Sequence, residues 1–522
     1  KLKKNAVDEE KTYKHYYEYQ ERINTLASHR IMAIDRGEKA KILDVSLEYN
    51  KERFGRFAFN QLTHKQESIV NDLIDKAVKD ALKRLIYPSI EREVRSDLTV
   101  KAQNQSIKVF SSNLERLLAQ APMKQSVILG FDPAYRTGCK LAVIDSTGKV
   151  LDISVIYPHP PVNKLDEAKT KLISLIEKYH VNLIAIGNGT ASRESESFVA
   201  DIIRNHSELN VKYVIVNEAG ASVYSASELA RAEFPDLHVE ERSAVSIARR
   251  LMDPLSELIK IDPKSIGVGQ YQHDLAPAAL EEQLNFTLLK IVNRIGTDVN
   301  TASEELLRHI AGLTKTSAKA IVQTRNTKGL FKSRLDLLKV KGLGEKAFEQ
   351  AAGFLRIAKA QDELDQTAIH PESYDLARKI MHELKINSLS DEKIHEIIHE
   401  ADVRKLIEKT QADEYTIHDI LEILDAPLRD YRDSFDGPLL RSDILKLSDL
   451  KIEIVLEGTV RNVTDFGAFV DIGLKNDGLI HISKMGHVKS VYDKVSVGDI
   501  VSVKVLQIDE ERQKVSLGLV EN

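Results

Sequence analysis

The chain has 522 residues, more than one hydrophobic core usually organises, so several domains are expected. Hydrophobic residues make up 42% of it, and no apolar run approaches the roughly 20 residues that cross a bilayer, which excludes a membrane-spanning protein. The formal net charge of -5 excludes a uniformly basic surface, so any contact with nucleic acid must depend on local clusters of Lys and Arg.

The first part of the chain, residues 1–125, is predicted to be a helical scaffold with solvated charged faces. It is rich in Lys, Glu, Leu and Ala, with helical spacing in VNDLIDKAVKDALKRLIYPSIEREV. The chain begins at Lys1 without an initiator methionine, and we expect that an N-terminal part is missing. The single Cys139 excludes an internal disulfide, and without a secretory signal we expect a cytoplasmic protein.

Residues 126–256 are predicted to form an α/β domain. The segment SVILGFDPAYRTGCKLAVIDSTGKVLDISVIYP contains short runs of β-branched residues separated by Gly, Asp and Pro turns. This pattern is typical of antiparallel strands. Helical stretches then alternate with two continuous apolar runs, NLIAIGNGT and VKYVIVNEAGAS. Such runs are typical of strands that are buried on both faces, so three antiparallel strands should precede a helix-and-strand alternation.

Two carboxylates of this domain, Asp132 and Glu218, directly follow apolar strands and should lie at strand ends. Paired carboxylates suit two divalent ions that clamp the reacting oxygens of a phosphodiester. The strings GFDPAYRTG, AIGNG and VNEAGAS resemble the YqgF-type branch of the ribonuclease-H and resolvase superfamily. That resemblance implies a third acid at the start of a late helix, which here reads RSAVSIARRL.

No acid occupies the position that the resemblance implies. The residues around it are Glu240, Glu241, Arg242, Ser243 and Asp253. We therefore favour a nuclease-like domain that has lost its metal site, so no cofactor is expected; Mg or Mn would be needed only by the alternative, a nuclease acting through Asp132 and Glu218. A turn or cap role for Asp132 is a further interpretation. Arg136 and Lys140 are candidate contacts to nucleic acid.

Residues 257–300 are predicted to be a helical connector and residues 301–358 a tandem of helical hairpins. HIAGLTKTSAKAIVQTR and LLKVKGLGEKAFEQAAGFLRI both place an apolar helix, a Gly-containing turn and a second helix in that order. Between residues 302 and 356 basic residues outnumber acidic ones by about two to one. The pattern resembles the helix-hairpin-helix motif, which grips the DNA backbone.

The turns of these hairpins are the predicted backbone contacts. Glycine lets the chain approach a phosphate, and the amide groups that begin the next helix attract it. The candidate residues are Gly312, Lys315, Lys319, Lys341, Gly342, Gly344 and Lys346. Contacts of this kind position a nucleic acid without reading its sequence. The alternative is a pair of packing units in which each Gly only caps a helix.

Residues 359–448 are predicted to be a helical region followed by a linker. KIHEIIHEAD contains His395 and His399 four residues apart, with Glu396 directly after the first, which is the spacing of H-E-x-x-H; we interpret the pair as an exposed helix face. The segment DYRDSFDGPLLRSDILKLS, from about residue 430, mixes Asp, Ser, Gly and Pro and predicts a mobile linker.

Residues 449–522 alternate strands with Gly and Asp turns and are predicted to form a small closed β-barrel. In GAFVDIG the alternation sends Ala468, Val470 and Ile472 inward and Phe469 and Asp471 outward. In GLIHIS the same alternation sends Ile480 and Ile482 inward, with Leu479 and His481 outward.

Outward rings on such a barrel predict a stacking surface for single-stranded nucleic acid. The candidate residues are Phe466, Phe469, His481, Lys504 and Lys514. The alternative is that the rings fold over a barrel end, and that the lysines guard strand edges. EGTVRNVTDFGAFVDIG, DGLIHIS and the final VGDIVSVKVLQIDEERQKVSLGL resemble the OB-fold RNA-binding domain of the ribosomal S-one type, in which Phe466, Phe469 and His481 match the RNA-binding face.

The order of these parts, with DPKSIGVGQYQHDL and AAGFLRI, resembles the bacterial transcription accessory family called Tex across nearly the whole chain. The resemblance implies a protein that binds RNA, and also DNA, with low sequence specificity in transcription or RNA metabolism. Two alternatives stay open: the metal-dependent nuclease, and a protein scaffold for RNA polymerase or the ribosome.

Overall fold

The computed structural model describes residues 1–9, 11–123, 125–267, 271–391, 393–425, 432, 440, 450–464, 466–474, 476–486, 488, 491, 494–496, 498–509 and 514–520. These residues divide into two compact units, Lys1–Phe110 with Gly269–Glu281, and Ser111–Val268 with Glu282–Asn522. In the part of the chain that the structure describes, no helix has both the length and the apolar character that a membrane span requires. Nearly all of the predicted linker from about 430 to 448 lies outside the described residues.

The first unit is helical, as the sequence predicts. Its long helices are α1 Ser28–Lys39, α2 Lys51–Thr63, α3 Asn71–Ala81 and α4 Tyr87–Leu118, the last of which extends beyond the unit. A π-helical turn, Leu82–Ile86, connects α3 to α4. The guanidinium of Arg95 on α4 lies 2.8 Å from the carboxylate of Asp35 and 2.7 Å from that of Glu38, so an ion-pair cluster joins α4 to α1.

The second unit begins with the predicted α/β domain, whose sheet has the strand order β3-β2-β1-β4-β5. Its strands are β1 Ile128–Asp132, β2 Cys139–Ile144, β3 Val150–Ile156, β4 Leu183–Gly187 and β5 Lys212–Val216. Its helices are α5 Leu165–Tyr179, α6 Ser192–Asn205, α7 Ala221–Ala226, α8 Glu228–Glu233, α9 Val239–Met252 and α10 Pro254–Leu258. The first three strands pair antiparallel, as predicted, and β1, β4 and β5 pair parallel.

Helix α9 packs directly on the central strand β1 through small residues. A Cβ atom at Gly130 would lie 2.1 Å from the carbonyl oxygen of Ala244 and 2.9 Å from the Cβ atom of Ala248. Only glycine therefore allows this close approach, which brings the first turns of α9 beside the end of β1. The sequence placed Glu240 and Glu241 before this helix, but α9 begins at Val239 and both acids lie in its first turn.

The helical region that follows contains α11 Pro277–Ile295, α12 Glu304–Leu307, α13 Lys315–Lys328, α14 Glu345–Ala351, α15 Tyr374–Glu383, α16 Ile394–His399, α17 Val403–Thr410 and α18 Glu414–Asp425. Two features differ from the sequence prediction. The first helix of the second hairpin is a 3-10 helix, Arg334–Lys339. Two short strands, β6 Thr297–Asp298 and β7 Leu355–Arg356, pair parallel and join the two ends of the tandem hairpins.

The C-terminal strands close into a barrel in the order β10-β12-β11-β8-β9, which confirms the predicted OB-fold architecture. The strands are β8 Val455–Thr464, β9 Gly467–Asp471, β10 Gly478–His481, β11 Ile500–Asp509 and β12 Lys514–Leu519. The core contains Ala468, Val470, Ile472 and Ile480, with Ile482 partly buried against it. These are the residues that the alternation sends inward.

Candidate nucleic-acid interface

The outer face of the barrel carries an aromatic pair. Phe469 on β9 and Phe466, just before it, meet edge to face with ring centroids 6.0 Å apart and an interplanar angle of 90°. Leu479 on β10 lies opposite Phe469 in the antiparallel register, so its side chain emerges on the same face. Both rings are half-buried rather than enclosed, which leaves aromatic surface for a planar ligand.

His481 lies one outward position beyond Leu479 and is exposed. Its Nδ1 atom accepts hydrogen bonds from the backbone amide of Ser483 at 3.3 Å and from the hydroxyl of Ser483 at 2.9 Å. A neutral ring that accepts at Nδ1 carries its proton at Nε2, so Nε2 can donate to a ligand. The residue across from it on β9 is Gly467, which adds no side chain beside the imidazole. We call Phe466, Phe469 and His481 the ring platform.

The sequence interpretation missed Asn462, which lies opposite Phe469 on β8 and belongs to the same outer face. A β-bulge between Val460 and Asn462 resets the alternation of that strand, since Val460 and Val463 are both in the core. The three-residue spacing between these two valines was the available signal. An amide beside the platform provides both a donor and acceptors for a base edge.

The predicted barrel lysines differ in their surroundings. The ammonium of Lys504 pairs with the carboxylate of Glu453, so much of its charge is already neutralised. Lys514 is exposed and lies opposite Asp509 across the β11–β12 ladder. Aromatic rings, rather than these two lysines, are therefore the main groups on the barrel that could contact a nucleic acid.

Asp471 points outward from the barrel, as predicted, yet it is buried. The Nη2 atom of Arg461 lies 2.6 Å from the carboxylate of Asp471, and the same nitrogen donates to the carbonyl of Ile215 on β5 at 3.4 Å. Because β5 is an edge strand of the α/β sheet, Arg461 links the barrel to that edge by this hydrogen bond, and Asp471 orients its guanidinium. Asp471 is thus a docking residue, two positions from Phe469.

The turn of the first hairpin is enclosed by its neighbour. Gly312 has a φ of 82°, and a Cβ atom there would lie 2.7 Å from the Cβ atom of Gln350 and 2.8 Å from the carbonyl oxygen of Ala347, both on α14. The start of α13 is also internally capped, because Thr314 accepts from the amide of Ser317. This turn packs the two hairpins together, as the packing alternative predicts for Gly312, while Lys315 and Lys319 remain exposed at its rim.

The turn of the second hairpin is open. Gly342 has a φ of 89°, and a Cβ atom at Gly342 or Gly344 would meet no atom within 4 Å. Lys341 and Lys346 flank these glycines and are exposed. Within the described residues neither lysine forms an ion pair with a carboxylate. The second turn therefore combines accessible backbone with two available charges, which the first turn does not.

The two predicted acids of the α/β domain meet at the strand ends. The pKa of Asp132 is raised to about 6, chiefly by burial and also by the negative charge of Glu218, while a hydrogen bond from Ser243 opposes the rise. Burial also raises the pKa of Glu218. Ser243, near the start of α9, thus lies where the family resemblance implies a third acid.

Lys140 is not available to a ligand at this edge, although the sequence suggested it as a nucleic-acid contact. It is buried, and its Nζ atom donates to the Thr137 hydroxyl at 2.6 Å and to the carbonyls of Thr137 and Gly138 at 3.0 and 2.9 Å. The same ammonium pairs with Glu240 in the first turn of α9. Arg136 is exposed.

The residues present do not fit the two-ion centre that a ribonuclease-H-like nuclease requires. Gly187 and Gly189 leave room for the carboxylate of Glu218, since a Cβ atom at Gly189 would lie 1.7 Å from its Oε1 atom. Its Oε2 atom is buried and has no hydrogen-bond partner among the described residues. However, in the described ranges no third acid joins Asp132 and Glu218 in a cluster tight enough to hold an ion.

Replacing Asp132 with asparagine is expected to stabilise the protein near neutral pH. A carboxyl whose pKa is higher in the folded than in the unfolded state binds its proton more tightly when folded, so stability falls as pH rises from about 4 to about 6. After allowance for partial exposure, the loss above pH 6 is about 2 kcal/mol. Thermal melts at pH 4 and pH 7.5 should show a gain for Asp132→Asn only at the higher pH.

Asp145, in the turn after β2, provides the matched control. Burial raises the pKa of Asp145, but hydrogen bonds from Thr147 and from the amide of Lys149 outweigh it, and the net shift is downward. Asp145→Asn should therefore destabilise the protein at pH 7.5. An Asp132→Asn protein that melts below the unsubstituted chain at pH 7.5 would contradict the raised pKa.

Five families match the chain in sequence order. Their descriptions are Tex central region-like for residues 1–110, Tex protein YqgF-like domain for 126–252, helix-hairpin-helix motif for 292–356, HHH domain for 362–432 and S1 RNA binding domain for 449–519. The S1 match contains the whole ring platform, and the helix-hairpin-helix match contains both hairpin turns.

Full-length relatives extend this similarity. The chain is 50% identical to YdcI of Bacillus subtilis over 98% of its own length and 72% of that protein. It is 42% identical to the transcriptional accessory protein Tex of Neisseria gonorrhoeae, over 96% of this chain and 67% of that one. The human S1 RNA-binding domain-containing protein 1 is 36% identical over 100% of this chain and 59% of its own.

Proposed function

The chain belongs to the Tex family of transcription accessory proteins, and from this premise we propose that it binds single-stranded RNA by stacking bases on the ring platform. The same proposal assigns the nucleic-acid backbone, RNA or DNA, to the open turn of the second hairpin. The observation that carries it is the half-buried pair of Phe466 and Phe469 beside exposed His481, on the outer face of a barrel that matches the S1 RNA binding domain.

The chemistry of the platform suits single strands of mixed sequence. Every base has a π-face, so stacking on aromatic side chains holds a strand without reading it, with roughly 1–3 kcal/mol per base. His481 can donate from Nε2, and Asn462 adds a neighbouring amide. Since the rings and not the lysines dominate this face, we expect most of its affinity to be insensitive to salt.

The second hairpin supplies the electrostatic part of the proposal. Lys341 and Lys346 are exposed beside glycines that admit a phosphate, and Gly342 holds a positive φ that other residues rarely adopt. Phosphate contacts release counterions, so this part of the affinity should weaken as salt concentration rises. No cofactor takes part in either contact.

The direct test is a titration of labelled single-stranded and duplex RNA and DNA into the full chain at several salt concentrations. The expected result is binding of single-stranded RNA whose salt dependence comes from the phosphate contacts of the second hairpin, while the stacking on the ring platform persists at high salt. Absence of binding to every probe would overturn the proposal and favour a scaffold for RNA polymerase or the ribosome. Cleavage of a probe with Mg or Mn that Asp132→Asn abolishes would instead establish the nuclease alternative.

Removing the second-turn lysines is expected to change the salt dependence of duplex binding. Each phosphate contact contributes about 0.9 to the slope of log affinity against log salt for duplex DNA, so Lys341→Ala with Lys346→Ala should lower the slope by about 2. Fluorescence anisotropy at four or more salt concentrations measures it. Lys339→Ala is the matched control, because Lys339 precedes Gly342 by three residues but its Nζ atom lies 2.7 Å from the carboxylate of Asp336. An unchanged slope in the double variant would remove the second turn from the interface.

A further inference from the structure

Two helices of the HHH domain bring together three metal-ligating side chains that the proposed function does not use. His395 and His399 lie on α16, and Asp425 ends α18. One ligand atom from each residue lies within 4.8 Å of the others, and this is the one such group among the described residues. We propose that these three residues bind a divalent metal ion, that Zn²⁺ suits the site best, and that the bound ion cross-links α16 to α18.

The geometry already approaches that of a metal site. The two histidines are four residues apart, on one face of α16, and their ring centroids are 4.4 Å apart at an interplanar angle of 72°. The Nδ1 atom of His395 lies 2.7 Å from Oδ1 of Asp425. Ligands at about 2 Å from a tetrahedral zinc lie about 3.3 Å from one another, so side-chain rotations that shorten the separation of two ligand atoms by up to about 1.5 Å complete the site.

The scaffold behind the ligands holds them in place. Ile394, next to His395, is buried in a core cluster that it shares with Ile417, Ile420, Leu421 and Leu424 of α18. Both helices are thus fixed by packing before any ion binds, which reduces the entropy lost on binding. The histidines lie on an exposed helix face, as the sequence predicts, and the side chain of His395 is 65% exposed. Asp425, 26 residues from His399, supplies the third ligand that the sequence could not place.

The donor set selects the class of ion. Two imidazole nitrogens and one carboxylate oxygen form a ligand set that zinc commonly takes, whereas Mg²⁺ and Ca²⁺ prefer oxygen ligands alone. Three protein ligands leave one position for water. Binding needs a lone pair on one ring nitrogen of each imidazole, so the ion takes the place of any proton there. No electron transfer is involved, because Zn²⁺ has no accessible redox change.

The test uses the full chain without a polyhistidine tag, stripped of metal by a chelator and dialysed. Zn²⁺ is titrated in competition with a chromophoric chelator, and Co²⁺ in place of Zn²⁺ reports ligand geometry by its visible absorption. We expect one equivalent to bind, and His399→Asn or Asp425→Asn to weaken it by at least about tenfold. Zinc should also raise the melting temperature of the unsubstituted chain and leave that of the variants unchanged.

His418→Asn is the matched control, since His418 is on α18 and 59% exposed but lies outside the cluster. It should bind zinc as the unsubstituted chain does. Unweakened binding by a chain that carries both His395→Asn and His399→Asn would overturn the proposal. Failure of the unsubstituted chain to take up Zn²⁺ or Co²⁺ would overturn it equally. Neither result depends on RNA binding, so this proposal and the proposed function fail separately.

Discussion

Arg334→Ala is expected to destabilise the helical region by about 3–5 kcal/mol, the range for removing one partner of a buried charged network. The side chain of Arg334 is fully buried at the start of the 3-10 helix. Its Nε atom donates to the carbonyl of Leu355 at 2.6 Å, and its Nη1 atom donates to the carbonyl of Ile369 at 2.7 Å and to the hydroxyl of Tyr374 at 2.8 Å. Nη2 donates to the carbonyl of Thr367.

This network joins the tandem hairpins to the HHH domain that follows them. Leu355 belongs to the first of these matches, while Thr367, Ile369 and Tyr374 belong to the second. Tyr374 in turn donates to the buried carboxylate of Asp365 at 2.7 Å, which accepts from the backbone amide of Arg334 at 3.0 Å. Alanine would leave these acceptors unpaired in the interior, so both modules should lose stability together.

Thermal melting and limited proteolysis of the full chain measure this effect. Lys339→Ala, on the same 3-10 helix but exposed, should change stability by no more than about 0.5 kcal/mol. Arg334→Lys should recover only part of the loss, because an ammonium cannot reproduce the planar fork of donors. Equal melting of Arg334→Ala and Lys339→Ala proteins would show that the network does not join the modules.

The predictable part of the fold is the part with a repeating signal. Continuous apolar runs identify β1, β4 and β5, and alternation identifies the inward residues of β9 and β10. The pairing of β6 with β7 has no such signal, because each strand has two residues and they are 58 positions apart at Thr297 and Leu355. The bulge at Asn462 is only partly predictable. The three-residue spacing of Val460 and Val463 is consistent with it, but does not by itself predict it.

The candidate sites divide in the same way. The two hairpin turns have similar sequences, yet Gly312 is enclosed by α14 and Gly342 faces open space. This difference depends on the packing of residues that are distant in sequence. The sequence predicts Lys140 as a cation available to nucleic acid. In the structure its ammonium group is hydrogen-bonded to Thr137 and Gly138 and paired with Glu240. The outward positions of Phe469 and His481 could be predicted because side-chain alternation within each of their strands, β9 and β10, is a local property.

Phe469→Ala is expected to weaken single-stranded RNA binding by roughly 5- to 150-fold, the equivalent of about 1–3 kcal/mol for one lost stacked base. Phe469 lies outside the barrel core and its outward face pairs with Phe466, so the substitution removes ring surface without opening a core cavity. Anisotropy titrations with a short labelled RNA measure the change in Kd. Because stacking involves no counterion, the affinity should fall at every salt concentration while the slope against salt stays the same.

That unchanged slope distinguishes the platform from the second hairpin, whose lysines should change it. Tyr415→Ala is the matched control, an aromatic residue on α18 that is 84% exposed and remote in sequence from the barrel. It should leave RNA affinity unchanged, and Phe469→Tyr should retain most of it. Because Phe466 and Phe469 touch, the double alanine variant should lose less than the sum of the single losses. Strictly additive losses would mean that the two rings hold separate bases, and no loss in either single variant would remove the platform from RNA binding.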